Sequence, residues 1–470
     1  MERLAGTSGL WALAALTRPQ YLPAWLLLPA ALWVRQHSPR ELLRGAAVLA
    51  VGAAFFLAYG LWQHRVCGEF RVIPWQGPYN LWAANEPGAN GRYYEQRLNL
   101  AYTGNGGNPA QMESILRYHA ETGGADGSIG EMNAHWRRCF LDYVCHHPVD
   151  WLRLMAVKTY VLLNDWEQYN NKTFAFQKSL SPWLRWNPIG WGVLLMLAVA
   201  GFRRLQTRAG SIAATAAAIA VVYAAGVLLF YVSGRFRLPL AALGCVMAGG
   251  ALARPFFWRG LAPAARASLA VALCVAGFVA FSGFCGVRDI RTVIQDRLLI
   301  ARAAQVCGDD AETWRQAQVV IAADATRADA HEYALTSGFN RLLAGDLPPA
   351  DLPAWRRSAR SLLASTRVAP LPATVIAASL ERDSATLHAL VDDSPQGAGD
   401  ALGALFLLGA ANDAEREKLV RLPLESGSAF FLMARQALAP AEFSAWAVAS
   451  SRSPRWVGSI ETARRRLFGP

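Results

Sequence analysis

The chain has 470 residues, of which 53% are hydrophobic and only 17% are charged, a composition too apolar for an ordinary soluble protein of this length. Its net charge of +12 is carried by arginines that flank apolar runs, not by a basic stripe with interleaved aromatic residues. We therefore expect a membrane protein with no nucleic-acid partner.

Residues 1–63 predict transmembrane helices. The apolar stretch Gly9–Leu16 is too short to cross a bilayer, which takes about 20 residues, and the TRPQYLP after it offers no small-residue cleavage site for a signal peptide. Apolar stretches Tyr21–Val34 and Gly45–Trp62 follow, separated by the basic linker RQHSPRELLR. The positive-inside rule places that linker in the cytoplasm.

Residues 64–150 then predict a loop domain outside the cytoplasm. This region is rich in Gly, Asn and aromatic residues, and helices are expected around Pro109–Thr122 and Met132–Cys145. Two of its three cysteines, Cys139 and Cys145, are candidates for a disulfide bond in such a compartment, and Cys145-His146-His147 is a weak candidate for metal contact. The chain has no CxxC pair, so neither a zinc ribbon nor a redox motif is indicated, and no residue is assigned as a metal ligand.

Residues 151–287 predict an amphipathic segment followed by further transmembrane helices. WLRLMAVKTYVLL, Trp151–Leu163, suits the bilayer surface. The segments expected to cross are Trp186–Gly201, Ser211–Val232, Leu238–Ala253 and Ser268–Val287. Counting the crossings puts the basic linkers FRRLQTR and RPFFWRGLAPAAR on the cytoplasmic side with the first one.

Residues 288–470 have a different sequence pattern from the preceding chain. Helical periods of about 12 to 16 residues alternate with breaks at Asp, Pro or Gly. This rhythm favours an extracytoplasmic solenoid of the tetratricopeptide type. The fold class expected for the whole chain is therefore all-α: a polytopic transmembrane helix bundle followed by a tetratricopeptide-like α-solenoid.

Three arginines, Arg18, Arg235 and Arg237, fall on the outer side of the membrane, where the positive-inside rule predicts few. A guanidinium donates in a planar fork to anionic oxygens and stays charged at any working pH, which suits a lipid phosphate. Snorkelling to lipid headgroups is an equally good explanation of interfacial arginines. Three arginines at the same depth in the membrane favour a shared anionic ligand.

Several short motifs occur in a characteristic order: GLWALAALTRPQYLPAWLLLPAALW, LWQHRVCGEF, YNLWAANEPGANG, HHPVDWLRLMAVKTYVLLNDWEQYNN and SGRFRLPL. This order resembles bacterial polyprenyl-phosphate-dependent membrane glycosyltransferases of the C-type (GT-C) superfamily, which includes the dolichyl-phosphate-mannose protein mannosyltransferases and the aminoarabinose transferases of lipid A. The resemblance covers roughly Gly9–Ala253. It implies transfer of a sugar from a polyprenyl-phosphate donor to a cell-envelope glycan, lipid or protein at the outer face of the bacterial inner membrane.

The resemblance also implies site residues. Arg235, Arg237 and Arg18 match the need for cations at the donor phosphate, and the substrate-loop candidates are Asn85, Glu86, Asn90, Lys158 and Glu167. Each candidate has a plainer alternative: turn chemistry for the AANEPGANG residues, snorkelling for Lys158 and a solvated interfacial carboxylate for Glu167. Glu86 stands where the family has a second Asn.

The sequence identifies no catalytic residue. The family's catalytic acidic residues lie in a first outer loop that has no counterpart here, so the resemblance is to a carboxy-terminal half. No cofactor is identified, although the family allows a divalent metal. The expected partners are the donor, membrane lipids and a protein bound by residues 288–470. The alternative is a non-catalytic membrane-anchored helical-repeat scaffold or pseudo-enzyme, and a transporter ranks last because the apolar segments lack mid-membrane polar residues.

Overall fold

The computed structural model describes residues 2–26, 38–72, 76–92, 97, 109–124, 127–168, 173–187, 189–208, 210–365, 371–393, 398–424 and 428–469. Every regular element in these ranges is helical, which confirms the expected all-α class. The described residues divide into two compact units, one made of those up to Thr292 and the other of those from Val293 onward.

The first unit contains the membrane-type helices and the loop region. Its described helices are α1 (Glu2–Thr17), α2 (Leu22–Leu26), α3 (Pro39–Cys67), α4 (Gly77–Ala83), α5 (Pro109–Thr122), α6 (Ile129–His146), α7 (Pro148–Leu163), α8 (Phe174–Leu180), α9 (Pro182–Arg185), α10 (Trp191–Arg208), α11 (Gly210–Leu228), α12 (Gly234–Leu252) and α13 (Pro263–Phe281). Helix α3 begins with Ser38 as its cap and ends at Gly68, whose φ of 75° favours glycine. Helices α5 and α6 occur where the sequence predicts them.

Three of these helices, α3, α12 and α13, are long and apolar enough to cross a membrane. They correspond to the predicted segments Gly45–Trp62, Leu238–Ala253 and Ser268–Val287, and they indicate a membrane protein. Helix α11 provides a shorter apolar stretch, Ala213–Leu228. The predicted segment Tyr21–Val34 lies outside the described residues beyond Leu26.

Helices α10 and α12 cross at very close range. A Cβ atom on Gly201 of α10 would collide with the carbonyl oxygen of Met247 on α12. Glycine at this position lets the two backbones touch, which is how small residues bring membrane helices together. Helix α13 packs against α10 as well, so the three helices form one bundle.

The second unit is a run of short helices that pack on their neighbours along the chain. They are α14 (Ile294–Val306), α15 (Asp310–Ala323), α16 (Ala328–Ala344), α17 (Leu352–Leu363), α18 (Leu371–Glu381), α19 (Ser384–Asp393), α20 (Ala398–Leu407), α21 (Asp413–Arg421), α22 (Ala429–Leu438), α23 (Pro440–Ala449) and α24 (Pro454–Phe468). The last helix, α24, also contacts α16 and α22. In an open solenoid each repeat contacts only its neighbours, so the tetratricopeptide-like arrangement stays a prediction.

Candidate functional site

The amino-terminal end of α12 brings the predicted arginines into the folded structure. The helix begins at Gly234, four residues before the predicted crossing, so Arg235 and Arg237 both lie in its first turn. Two residues along a helix point about 200° apart. Accordingly the side chain of Arg235 is exposed, whereas that of Arg237 is buried with 3% of its surface accessible.

The guanidinium of Arg237 has both used and unused donors. Its Nη2 donates to the carbonyl oxygens of Val161 and of Trp166, the latter at 3.2 Å, and its Cζ lies 5.9 Å from the ring centroid of Trp191. Its Nε and Nη1 are buried without a hydrogen-bond partner. A buried cation with two unsatisfied donors is costly unless a ligand completes its bonding.

Arg237 lines a cavity of about 340 Å³. The other charged residues of its wall are Asp165, Glu167 and Lys178, so two cations face two carboxylates. Lys178 donates to the carbonyl oxygen of Asn187 at 2.9 Å. The apolar part of the wall includes Leu194, Leu238 and Ala241. The cavity therefore combines polar groups for a charged headgroup with an apolar surface for a hydrocarbon chain.

The two carboxylates each bind the start of a helix. Asp165 Oδ1 accepts a hydrogen bond from the N–H of Gly192 at 2.6 Å, at the beginning of α10. Glu167 Oε2 accepts one from the N–H of Phe174 at 3.0 Å, at the beginning of α8. Burial raises the pKa of Glu167, and the Phe174 bond and the charge of Arg237 oppose that rise. Glu167 was predicted from sequence, but Asp165 and Lys178 carried no signal beyond their closeness to it along the chain.

Arg18 and Arg235 occupy a different face from Arg237. Arg18 Nη1 lies 3.4 Å from the carbonyl oxygen of Arg235, and its guanidinium carbon lies 5.9 Å from the ring centroid of Phe236. Neither residue contributes to the cavity wall that Arg237 lines. The three predicted phosphate-binding arginines thus form two cationic positions at one end of α12 instead of one.

The side chains of Lys158 and Asn85 contact each other and support the fold. Lys158 is 1% exposed, and its Nζ donates to Asn85 Oδ1 at 3.0 Å and to the carbonyl oxygen of Leu228 at 3.1 Å. Asn85 Nδ2 donates to the carbonyl oxygen of Leu229 at 2.8 Å. The pair satisfies carbonyl groups at the end of α11, which helix ends require. Snorkelling therefore does not describe Lys158, whose pKa burial lowers to about 7.

Glu86 and Asn90 also make bonds within the loop region. Glu86 is 6% exposed and pairs with Arg97 at 3.0 Å and with Arg117 at 2.8 Å. Asn90 Oδ1 accepts a hydrogen bond from the N–H of Arg92 at 2.7 Å, the turn chemistry that the sequence offered as its alternative. Both residues line a separate cavity of about 480 Å³ with Asp150 and Arg153.

The disulfide expectation for Cys139 and Cys145 is wrong. Both are free thiols on α6. Six residues of helix rise about 9 Å, beyond the span of about 7 Å that a disulfide bridges. His146 and His147 next to them pair with acidic residues of their own neighbourhood: His146 Nδ1 lies 3.2 Å from Asp142 and His147 Nδ1 lies 3.9 Å from Asp150.

Comparison with known proteins identified no relative, since no family model, no curated protein and no solved structure matches this chain.

Proposed function

We propose that the chain is a membrane glycosyltransferase that binds a polyprenyl-phosphate sugar donor in the Arg237 cavity and transfers its sugar to an envelope acceptor. The observation that carries this proposal is the buried Arg237 guanidinium, which has two unused N–H donors and lines a cavity at the start of a membrane-type helix. The bacterial inner membrane as location, with its outer face as the site of transfer, belongs to the same proposal.

A phosphate suits the cavity for three physical reasons. Its oxygens accept the two parallel bonds that a guanidinium offers, and such charge-assisted bonds are the strong ones. The start of α12 adds the favourable end of a helix dipole. Leu194, Leu238 and Ala241 offer an apolar surface that a polyprenyl chain can follow into the bilayer.

The transfer itself forms a bond between an acceptor hydroxyl oxygen and the anomeric carbon while the bond from that carbon to the donor phosphate breaks. The acceptor proton passes to a carboxylate base, a role to which no described residue is assigned, and polyprenyl phosphate leaves with the bonding electrons. Arg237 and Lys178 stabilise the charge on the departing phosphate. Glu167 orients a sugar hydroxyl by accepting its hydrogen bond.

The resemblance also allows a divalent metal, but the residues of this cavity do not fit one. Each of its carboxylates, Asp165 and Glu167, already accepts a backbone N–H bond. Arg237 and Lys178 line the same space and repel a metal cation. No step is therefore assigned to a metal here.

Binding of undecaprenyl phosphate to the purified full chain in lipid nanodiscs tests the proposal. Arg237→Gln is expected to weaken binding about tenfold or more, because it removes a charge-assisted bidentate contact. Arg254→Gln, an exposed arginine beyond the other end of α12, serves as the matched control and should bind like the unchanged chain. Equal affinity of both variants, with unchanged thermal unfolding, would contradict the proposal.

A scaffold role is the second candidate, favoured by one groove in the second unit. This groove has a volume of about 650 Å³, and four arginines line it: Arg356, Arg357, Arg360 and Arg466. Arg360 is paired with Glu381 at 3.0 Å, whereas Arg356 and Arg357 are exposed. Charge complementarity favours an acidic segment of a protein partner.

A fluorescent oligoglutamate peptide tests that candidate on the full chain. The double variant Arg356→Gln, Arg357→Gln should lose salt-sensitive binding, and Arg416→Gln, an exposed arginine on α21, should retain it. Absence of binding to the unchanged chain at low salt would remove the scaffold candidate.

A further inference from the structure

Helices α5 and α6 form a tightly fixed pair within the loop region. Trp136 is fully buried, and its Nε1 donates to Ser114 Oγ at 2.9 Å, which joins α6 to α5. The start of α6 is held by a reciprocal capping box between Ser128 and Glu131. The relative position of side chains on the two helices is therefore well determined.

This pair brings three different metal-binding side chains to one point. His135 and Cys139 lie four residues apart on one face of α6, and Glu121 faces them from the last turn of α5. His135 Nε2 lies 2.9 Å from Glu121 Oε2 and 3.5 Å from Cys139 Sγ. The three ligand atoms all lie within 4.8 Å of one another.

The two distances from His135 Nε2 are close to those of a tetrahedral metal centre. With bond lengths of about 2.0 Å to nitrogen or oxygen and about 2.3 Å to sulfur, tetrahedral angles place N and S about 3.5 Å apart and N and O about 3.3 Å apart. The observed distance from Nε2 to Sγ agrees with the first value. The distance from Nε2 to Oε2 needs an opening of a few tenths of an ångström, which the Glu121 side chain can supply.

We infer that Glu121, His135 and Cys139 bind a zinc-type divalent cation, with the fourth coordination position open to water. A thiolate, an imidazole and a carboxylate together favour Zn²⁺ and similar first-row ions over Mg²⁺ or Ca²⁺, which prefer all-oxygen ligands. Three protein ligands with one free position are the arrangement of an accessible zinc site, not of a closed structural one.

The surroundings of the three ligands favour a cation. Tyr118 and Trp136 contact the His135 ring edge-on, with centroids 5.4 and 4.7 Å away, and so fix its orientation. Two cations, Arg138 and Arg117, act on this cluster, and Nη2 of Arg117 lies 3.7 Å from the other oxygen of Glu121. That guanidinium is already paired with Glu86 at 2.8 Å, so its charge is largely offset. The Glu121 side chain is 39% exposed, which leaves a path for the ion.

The test uses the full chain, stripped of metal and kept reduced, and a titration with Co²⁺. One equivalent should produce the thiolate-to-cobalt absorption band in the near ultraviolet, and Zn²⁺ should displace it. Cys139→Ser should abolish the band and weaken Zn²⁺ binding about tenfold or more. His135→Ala should also weaken Zn²⁺ binding about tenfold or more. Cys145→Ser, an exposed cysteine on the same helix, is the matched control and should leave both unchanged.

Two results would overturn the inference: no thiolate band from the unchanged chain, or a band that survives Cys139→Ser. Circular dichroism and thermal unfolding, recorded for each variant, show whether Cys139→Ser is misfolded. If it is, the variant Glu121→Gln tests the metal site instead. It should keep the band but weaken Co²⁺ binding, and unchanged affinity would exclude Glu121 as a ligand. The result is independent of the Arg237 cavity, to which none of these residues contributes.

Discussion

The guanidinium of Arg18 donates to the carbonyl oxygen of Arg235, the acceptor that Pro239 leaves without its helical partner. In a regular helix this carbonyl would accept the N–H of residue 239, and proline has none. Arg18 Nη1 lies 3.4 Å from that oxygen, and Pro239 lies inside α12. An arginine predicted to bind phosphate thus also completes the backbone bonding of a membrane-type helix.

This relationship predicts energetic coupling between Arg18 and Pro239. Arg18→Gln should lower the free energy of unfolding by about 0.5–1.5 kcal/mol, the net value of one hydrogen bond. In a Pro239→Ala background the N–H of residue 239 is restored and bonds to the Arg235 carbonyl oxygen. Arg18→Gln should then lower the free energy of unfolding measurably less. A double-mutant cycle in detergent measures the coupling. Strictly additive effects would show that the contact contributes nothing.

Lys158 predicts a pH dependence of stability. Burial lowers its pKa to about 7 from an ordinary value of 10.5, so between those values the unfolded chain binds a proton that the folded chain has released. The free energy of unfolding should therefore rise as the pH increases from about 7 to about 10. The free energy of unfolding measured over this range should rise with pH in the unchanged chain. It should rise equally in the control variant Lys418→Met, which replaces an exposed lysine. Lys158→Met should flatten this rise, and an unaltered slope would be inconsistent with the buried amine.

Gly201 predicts a strict size limit at the crossing of α10 and α12. Gly201→Ala forces the helices apart, because its Cβ would collide with the Met247 carbonyl, and it should destabilise the protein by about 1–3 kcal/mol. Gly249→Ala on α12 is the control, since no atom lies within 4 Å of its added Cβ. Thermal unfolding in detergent compares the two. Similar midpoints would show that the helices separate at no cost.

Gly234 predicts a functional effect without a large loss of stability. An alanine Cβ at this position would lie 2.8 Å from the Glu167 carboxyl carbon, and the flexible side chain can move aside. Gly234→Ala should therefore change the unfolding free energy by less than about 1 kcal/mol while it lowers sugar transfer in membranes. Gly249→Ala should leave transfer unchanged. Full transfer by Gly234→Ala would remove Glu167 from the proposed donor site.

Sequence alone determined the features that depend on local composition and period. Long apolar runs predicted α3, α12 and α13, and an amphipathic segment predicted α7, because helix formation and membrane insertion respond to neighbouring residues. Helices were also expected near α5 and α6. Helix α12 begins four residues before the predicted crossing Leu238–Ala253 and contains Pro239; the donor that Arg18 supplies to the Arg235 carbonyl could not be read from the local sequence.

The tertiary structure decided which side chains meet and which are buried. Once α12 begins at Gly234, helix geometry sends Arg235 to the surface and Arg237 into the cavity. The burial of Lys158 and the meeting of Glu121 with His135 depend on segments that are distant along the chain. No local pattern encodes such pairings, because burial and partner choice are set by how the helices pack against one another.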